Sequence, residues 1–91
     1  MKLQIFTVHD SKAEAYMNPF TMENKQLAIR GFQDAVNADT PFAKHPEDYC
    51  LFHVGSFSQE TGIIEPIRPK SVTSALAVKA PSTEFQSLNK E

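Results

Sequence analysis

Polar and apolar side chains alternate from the start of the chain: Leu3, Ile5 and Thr7 project to one side and Gln4, Phe6 and Val8 to the other. A two-residue period carried by β-branched and aromatic residues predicts a strand over Lys2 to Val8 with both faces at least partly covered. The polar cluster His9 to Lys12 then reads as a hairpin turn, with a second extended piece, Ala13 to Asn18, running back and ending before Pro19. From Met22 to Asn37 the period changes. Ala28, Ile29, Phe32, Ala35 and Val36 recur at three- and four-residue spacing, which predicts one amphipathic helix with Thr21 as its cap and Glu23 in its first turn. Leu27 falls off that stripe, beside Gly31 and Asp34.

Pro41, Pro46 and several polar residues make Ala38 to Asp48 a loop, which Phe42 is expected to pin to the core. Tyr49 to Phe57 is apolar on both faces in its first half and reads as a central strand. Ser58 to Gly62 is a turn in which Gly62 supplies a positive φ, and Ile63 to Ile67 returns as an edge strand because Pro66 cannot donate to a ladder. Val72, Ala75, Leu76 and Lys79 then have helical spacing, with Ser71 as cap and Pro81 as stop. The expected fold is α+β, approximately ββαββα, with a mostly antiparallel sheet and the 22 to 37 helix across one face. The expected organisation is one domain over residues 1–80 and a flexible polar tail over 81–91.

Length and composition narrow the function classes. The chain has 91 residues, 41% of them hydrophobic and 22% charged. A domain of this size has a thin core, and one helix covers only part of a four-stranded sheet, so a homodimer is expected. No apolar run reaches the roughly 18 residues of a membrane span, and the alternating N-terminal segment is unlike a signal peptide; a cytoplasmic protein with no membrane contact is expected. The single cysteine, Cys50, reads as a small buried hydrophobe. Nine Lys and Arg against eleven Asp and Glu give a net charge of -2, which argues against binding nucleic acid through bulk positive charge.

The histidines do not form a recognisable site. His45, Glu47, Asp48 and His53 are ligand types, but no pair shares a helical i, i+4 face, so no metal is expected. His53 reads as a hydrogen-bonded sheet residue. The glycines at 31, 55 and 62 are isolated and form no phosphate loop, and no nucleophile–base–orienter set is present. Neither an enzyme nor a cofactor is expected. What remains is binding. The aromatics Phe6, Tyr16, Tyr49, Phe52 and Phe57, with Lys2, Lys12, Lys25, Arg30, Lys44, Arg68 and Lys70, supply a stacking surface and a cationic track, the two ingredients of single-strand recognition. The same residues also suit an ordinary core and a solvated surface.

The string MKLQIFTVHDSKAEAYMNPF over Met1 to Phe20, then Asn24, Ala28-Ile29-Arg30, Phe32, Asp34, Val36-Asn37, His45-Pro46-Glu47-Asp48-Tyr49 and Leu51-Phe52, carries a family resemblance. It resembles the small nonstructural protein of gokushoviruses, single-stranded DNA phages of the microvirus group. The likeness spans residues 1–62 and continues more weakly from Pro69 to Val78; the polar tail after Pro81 departs from the pattern. The resemblance implies a non-virion protein of the infected bacterial cytoplasm, with a role in single-stranded genome synthesis and packaging and no catalytic residue. From the aromatic and cationic set above, the residues expected to contact single-stranded DNA are Lys2, Lys12, Lys25, Arg30, Lys44, Tyr16 and Phe52. The alternative is a regulator that acts on phage replication or capsid proteins without touching DNA.

Overall fold

The computed structural model describes residues 1–80; the expected tail lies outside the described residues. The elements run β1 (Lys2–Asp10), β2 (Ala15–Tyr16), β3 (Phe20–Met22), α1 (Lys25–Val36), α2 (Pro41–Lys44), a 3-10 turn (Pro46–Asp48), β4 (Tyr49–Ser58), β5 (Ile64–Ser74) and α3 (Ala75–Val78). All strand pairings are antiparallel. β1 and β4 are central, β5 forms one edge, and β2 and β3 both pair with the other side of β1. The α+β architecture with one main helix is therefore as expected.

β2 and β3 are one returning hairpin limb interrupted by a bulge. The register moves by one residue between His9↔Tyr16 and Phe6↔Phe20, and Met17 N–H donates to the Val8 carbonyl at 2.8 Å within the interruption. Asp10 organises the turn that starts this limb: its Oδ1 accepts from the amides of Lys12 (3.0 Å) and Ala13 (3.3 Å). This side-chain turn lets β1 continue through His9 and Asp10, two residues beyond the expected strand end.

The core is small. Ala28, Phe32 and Val36 of α1 bury against Phe6 and Val8 of β1, Leu51 of β4 and Ala75 of α3. Phe42 packs beside them, 5.9 Å from the Phe32 ring and 4.7 Å from Tyr49, so it does pin the connecting segment. That segment is not an irregular loop. Thr40 caps a single helical turn with Pro41 in its first positions, and its hydroxyl donates to the Ala35 carbonyl at 2.6 Å.

Two helix starts differ from expectation. Thr21 lies in β3 opposite Ile5, and Asn24 caps α1 instead, accepting from Leu27 N–H at 2.9 Å. Ser71 lies in β5, and Ser74 caps α3, accepting from Ala77 N–H at 3.1 Å. In both places the neighbouring central strand extends the ladder, and that pairing outweighs the local capping preference. Val72 and Thr73 are β-branched and suit the pleated sheet. The second helix is consequently one turn, held by Asn37, which donates to the carbonyls of Gln33 (2.8 Å) and Val78 (3.0 Å) and accepts from Ala80 N–H (2.5 Å).

Gly62 has φ +77°, as its turn requires. At Gly55 the need is steric: a Cβ there would stand 2.7 Å from the Glu65 carbonyl oxygen. Cys50 is only partly buried, with its Sγ 3.3 Å from Ser71 Oγ, so it is not the core hydrophobe expected of it.

Candidate binding surface on the open sheet face

The helices cover one face of the sheet and leave the other open. Direct cross-strand partners share a face, so the register assigns the open side: Leu3 opposite Phe57, Ile5 opposite Gly55, Thr7 opposite Phe52 and His9 opposite Cys50. β5 adds Ile64 and Ser71, and the hairpin limb adds Tyr16 and Thr21. None of these side chains carries a formal charge.

The open face has two ends. At the aromatic end, Tyr16 sits 4.6 Å from the His9 ring and 5.5 Å from Phe52, nearly perpendicular to the latter, and His9 lies 6.0 Å from Phe52. Tyr16 is 50% exposed. A shallow depression of about 200 Å³ beside it is bounded by Thr7, Met17, Pro19, Val54 and Pro69. The Thr7 hydroxyl, itself buried, donates to the Met17 carbonyl at 2.6 Å and fixes the limb that carries Tyr16. Ser11 ties the turn down at the same end, donating from its N–H to the Asp48 carbonyl at 2.9 Å. Lys12 projects from this turn, four residues before Tyr16. At the aliphatic end, Leu3, Ile5, Phe57 and Ile64 line a recess of about 300 Å³ with Pro19, Phe20 and Thr21.

The structure brings Tyr16 and Phe52 together, with Lys12 on the connecting turn. It does not gather the remaining expected cations around them. Lys25 and Arg30 belong to α1 and Lys44 ends α2, in the layer that covers the opposite face. Lys2 is on the other side of β1 from Leu3, the side of Gln4 and Phe6, and lies 3.3 Å from Glu65. Arg68 and Lys70 are exposed along β5. Among the other aromatics, Phe6 is fully buried and unavailable for stacking, Tyr49 packs on Phe42 beneath the helical layer, and Phe57 belongs to the aliphatic end. His9 was missed in the sequence because it was read as a turn residue; the acceptor Asp10 one position later is the signal that places it in the strand.

His53 is hydrogen-bonded within the sheet, as expected, its Nε2 lying 2.9 Å from Gln4 Oε1. The ligand-type atoms of His45, Glu47 and Asp48 lie within 4.8 Å of one another beside the 3-10 turn, so these are the described residues that could hold a cation. Close by, the Tyr49 phenol is raised above its ordinary value of 10.0, first by burial and then by the carboxylates of Asp10 and Asp48. A cleft of about 300 Å³ between α1 and the hairpin limb, floored by Val8 and Phe32, is lined almost wholly by apolar side chains.

The chain matches the model of the phage ORF5 protein family over residues 3–78, nearly the whole described fold. It belongs to that family. No curated protein and no solved structure matches it. Membership makes this a bacteriophage protein, and the described part of the phage ORF5 chain has no helix long and apolar enough to cross a membrane. The match takes in both ends of the open face.

Proposed function

We propose that this phage accessory protein, of the gokushovirus type its sequence resembles, binds single-stranded DNA at the aromatic end of its open sheet face. It would act during viral genome synthesis or packaging in the cytoplasm of the infected bacterium, outside the virion. The observation that carries this reading is the His9–Tyr16–Phe52 cluster, with Tyr16 half exposed on a face that no helix covers. Base–aromatic stacking contributes about 1 to 3 kcal/mol per base and tolerates any sequence. The reading involves no catalytic residue and no cofactor.

Binding of this kind depends more on stacking than on charge. Lys25, Arg30 and Lys44 sit in the opposite layer and Lys70 pairs with His53 on the helix side, which leaves Lys12 on the turn and Arg68 on β5 as the cations near the rings. With one or two phosphates neutralised, the logarithm of affinity should fall against the logarithm of salt with a slope of roughly -0.7 to -1.4. Anisotropy of a labelled oligothymidylate across a salt series tests this. Phe52→Ala or Tyr16→Ala should weaken binding about 5- to 150-fold at every salt concentration, the equivalent of one stacked base. Lys25→Ala and Arg30→Ala should leave it unchanged.

A second reading draws on the absence of formal charge across the open face and on the net charge of -2. Such a surface suits a regulator of phage replication or capsid proteins that makes no DNA contact. Wild-type protein that fails to bind oligothymidylate even at low ionic strength would decide for it.

A further inference from the structure

We infer that the depression beside Tyr16 is a seat for the 5-methyl group of thymine, so that the bound single strand is preferred with thymine over uracil. The inference rests on the proposed binding of single-stranded DNA at this end of the sheet and names the base that this end favours.

The depression crosses all the strands of the sheet. Tyr16, Met17 and Pro19 come from the hairpin limb, Thr7 from β1, Val54 from β4 and Pro69 from β5. Irregular pairing creates it: between the pairs His53↔Lys70 and Gly55↔Pro66, Val54 is the extra residue on β4, and Ile67, Arg68 and Pro69 are extra on β5. Such interruptions re-aim side chains that a regular ladder would send elsewhere.

Apart from the Tyr16 phenol, the lining offers a ligand little to hydrogen-bond. Pro19 and Pro69 have no N–H, and Met17 and Val54 are apolar. The Thr7 hydroxyl is buried and already donates to the Met17 carbonyl at 2.6 Å. No formal charge lines the depression, but cations stand to either side of it. Lys12 belongs to the turn that leads into the limb, and Arg68 adjoins Pro69 on β5. A single strand whose phosphates meet both carries its bases across the depression.

The chemistry of the lining then selects among base edges. Amino and carbonyl groups turned into it lose water without gaining a partner, whereas the C5-methyl of thymine buries apolar surface at no such cost. Full burial of one such carbon is worth about 4-fold in affinity; in a shallow depression about 2- to 4-fold is expected. Uracil presents the same polar groups without the methyl. The preference therefore separates DNA from RNA without any contact to a 2′-hydroxyl, the usual means of telling them apart.

Anisotropy titrations of the full chain with labelled oligothymidylate and oligodeoxyuridylate of equal length, at low ionic strength, test this. Oligothymidylate should bind about 2- to 4-fold more tightly. A methyl also strengthens stacking by itself, so variants of the lining decide. Val54→Thr, which keeps nearly the same shape and adds a hydroxyl, should bring the ratio close to one; Pro69→Ser, at an exposed position, should do the same and stands in should the first variant fold poorly. Phe52→Ala should weaken both complexes and keep the ratio, because Phe52 does not line the depression. Equal affinity of the wild type for the two oligonucleotides, or an undiminished ratio in the folded lining variants, would overturn the inference and leave the binding reading standing. Failure to bind either oligonucleotide would overturn both.

Discussion

On the helix side of the sheet, Phe6 and Leu51 are fully enclosed by Ala28, Phe32 and Val36, whereas on the other side Phe52, Phe57 and Ile64 meet solvent across the same backbone. Both faces are apolar. The difference lies in what covers them: one amphipathic helix closes the first, and no element among the described residues closes the second. An apolar face that folding leaves uncovered is available for binding, and here it is divided into an aromatic end, with rings placed for stacking, and an aliphatic end.

The largest test of this contrast is truncation of aliphatic side chains on the two faces. Leu51→Ala removes a fully buried side chain and should cost about 2 to 5 kcal/mol. Ile64→Ala, where the side chain is 61% exposed, should stay within about 0.5 kcal/mol. Chemical denaturation of both variants measures the difference, and equal losses would mean that the open face is covered in the monomer. Gly55→Ala comes next. Its Cβ would press on the Glu65 backbone at 2.7 Å, so the β4–β5 pairing must shift at a cost of about 1 to 3 kcal/mol. The open face would be distorted while α1 keeps its contacts, which amide exchange in β5 against α1 would reveal.

Much of this division was legible in the sequence. Alternation marks β1 and β4, the three- and four-residue spacing marks α1, and Gly62 and Pro66 mark the turn and the edge. The assignment of aromatics to faces was not legible, because it depends on bulges. Phe52 and Phe57 are five residues apart and would point to opposite sides of a regular strand. The irregularity at Val54 brings both to the open face, opposite Thr7 and Leu3, and Phe6 meanwhile goes to the core. The cationic track failed for a related reason. Composition counts the lysines but does not distinguish Lys12, on the turn beside Tyr16, from Lys25 and Arg30 on the covering helix. The cap assignments failed where a ladder with a central strand took over Thr21 and Ser71, a tertiary preference that local spacing does not carry.

Smaller effects sharpen the boundary of the covered side. Asn24→Ala should cost about 1 kcal/mol by removing the cap of α1. Thr21→Ala, whose residue lies in β3 and not at the helix start, should give no capping loss; thermal unfolding of the pair distinguishes them. Smallest is the alkaline response of Tyr49. Its phenol is raised by burial, Asp10 and Asp48, so above about pH 10 the folded chain holds a proton that the unfolded chain has released. Stability from this group is therefore constant below that pH and falls as pH rises from there to the raised folded value. Tyr49→Phe should flatten that decline, as measured by denaturation midpoints across the alkaline range.

The most direct test of the open face as the working surface is an amide chemical-shift titration of the wild-type protein with oligothymidylate at low ionic strength. The account predicts movements at His9, Lys12, Tyr16 and Phe52, with Lys25 to Val36 of α1 still. Movements centred on Lys25 and Arg30 of α1, or no movement anywhere, would contradict it.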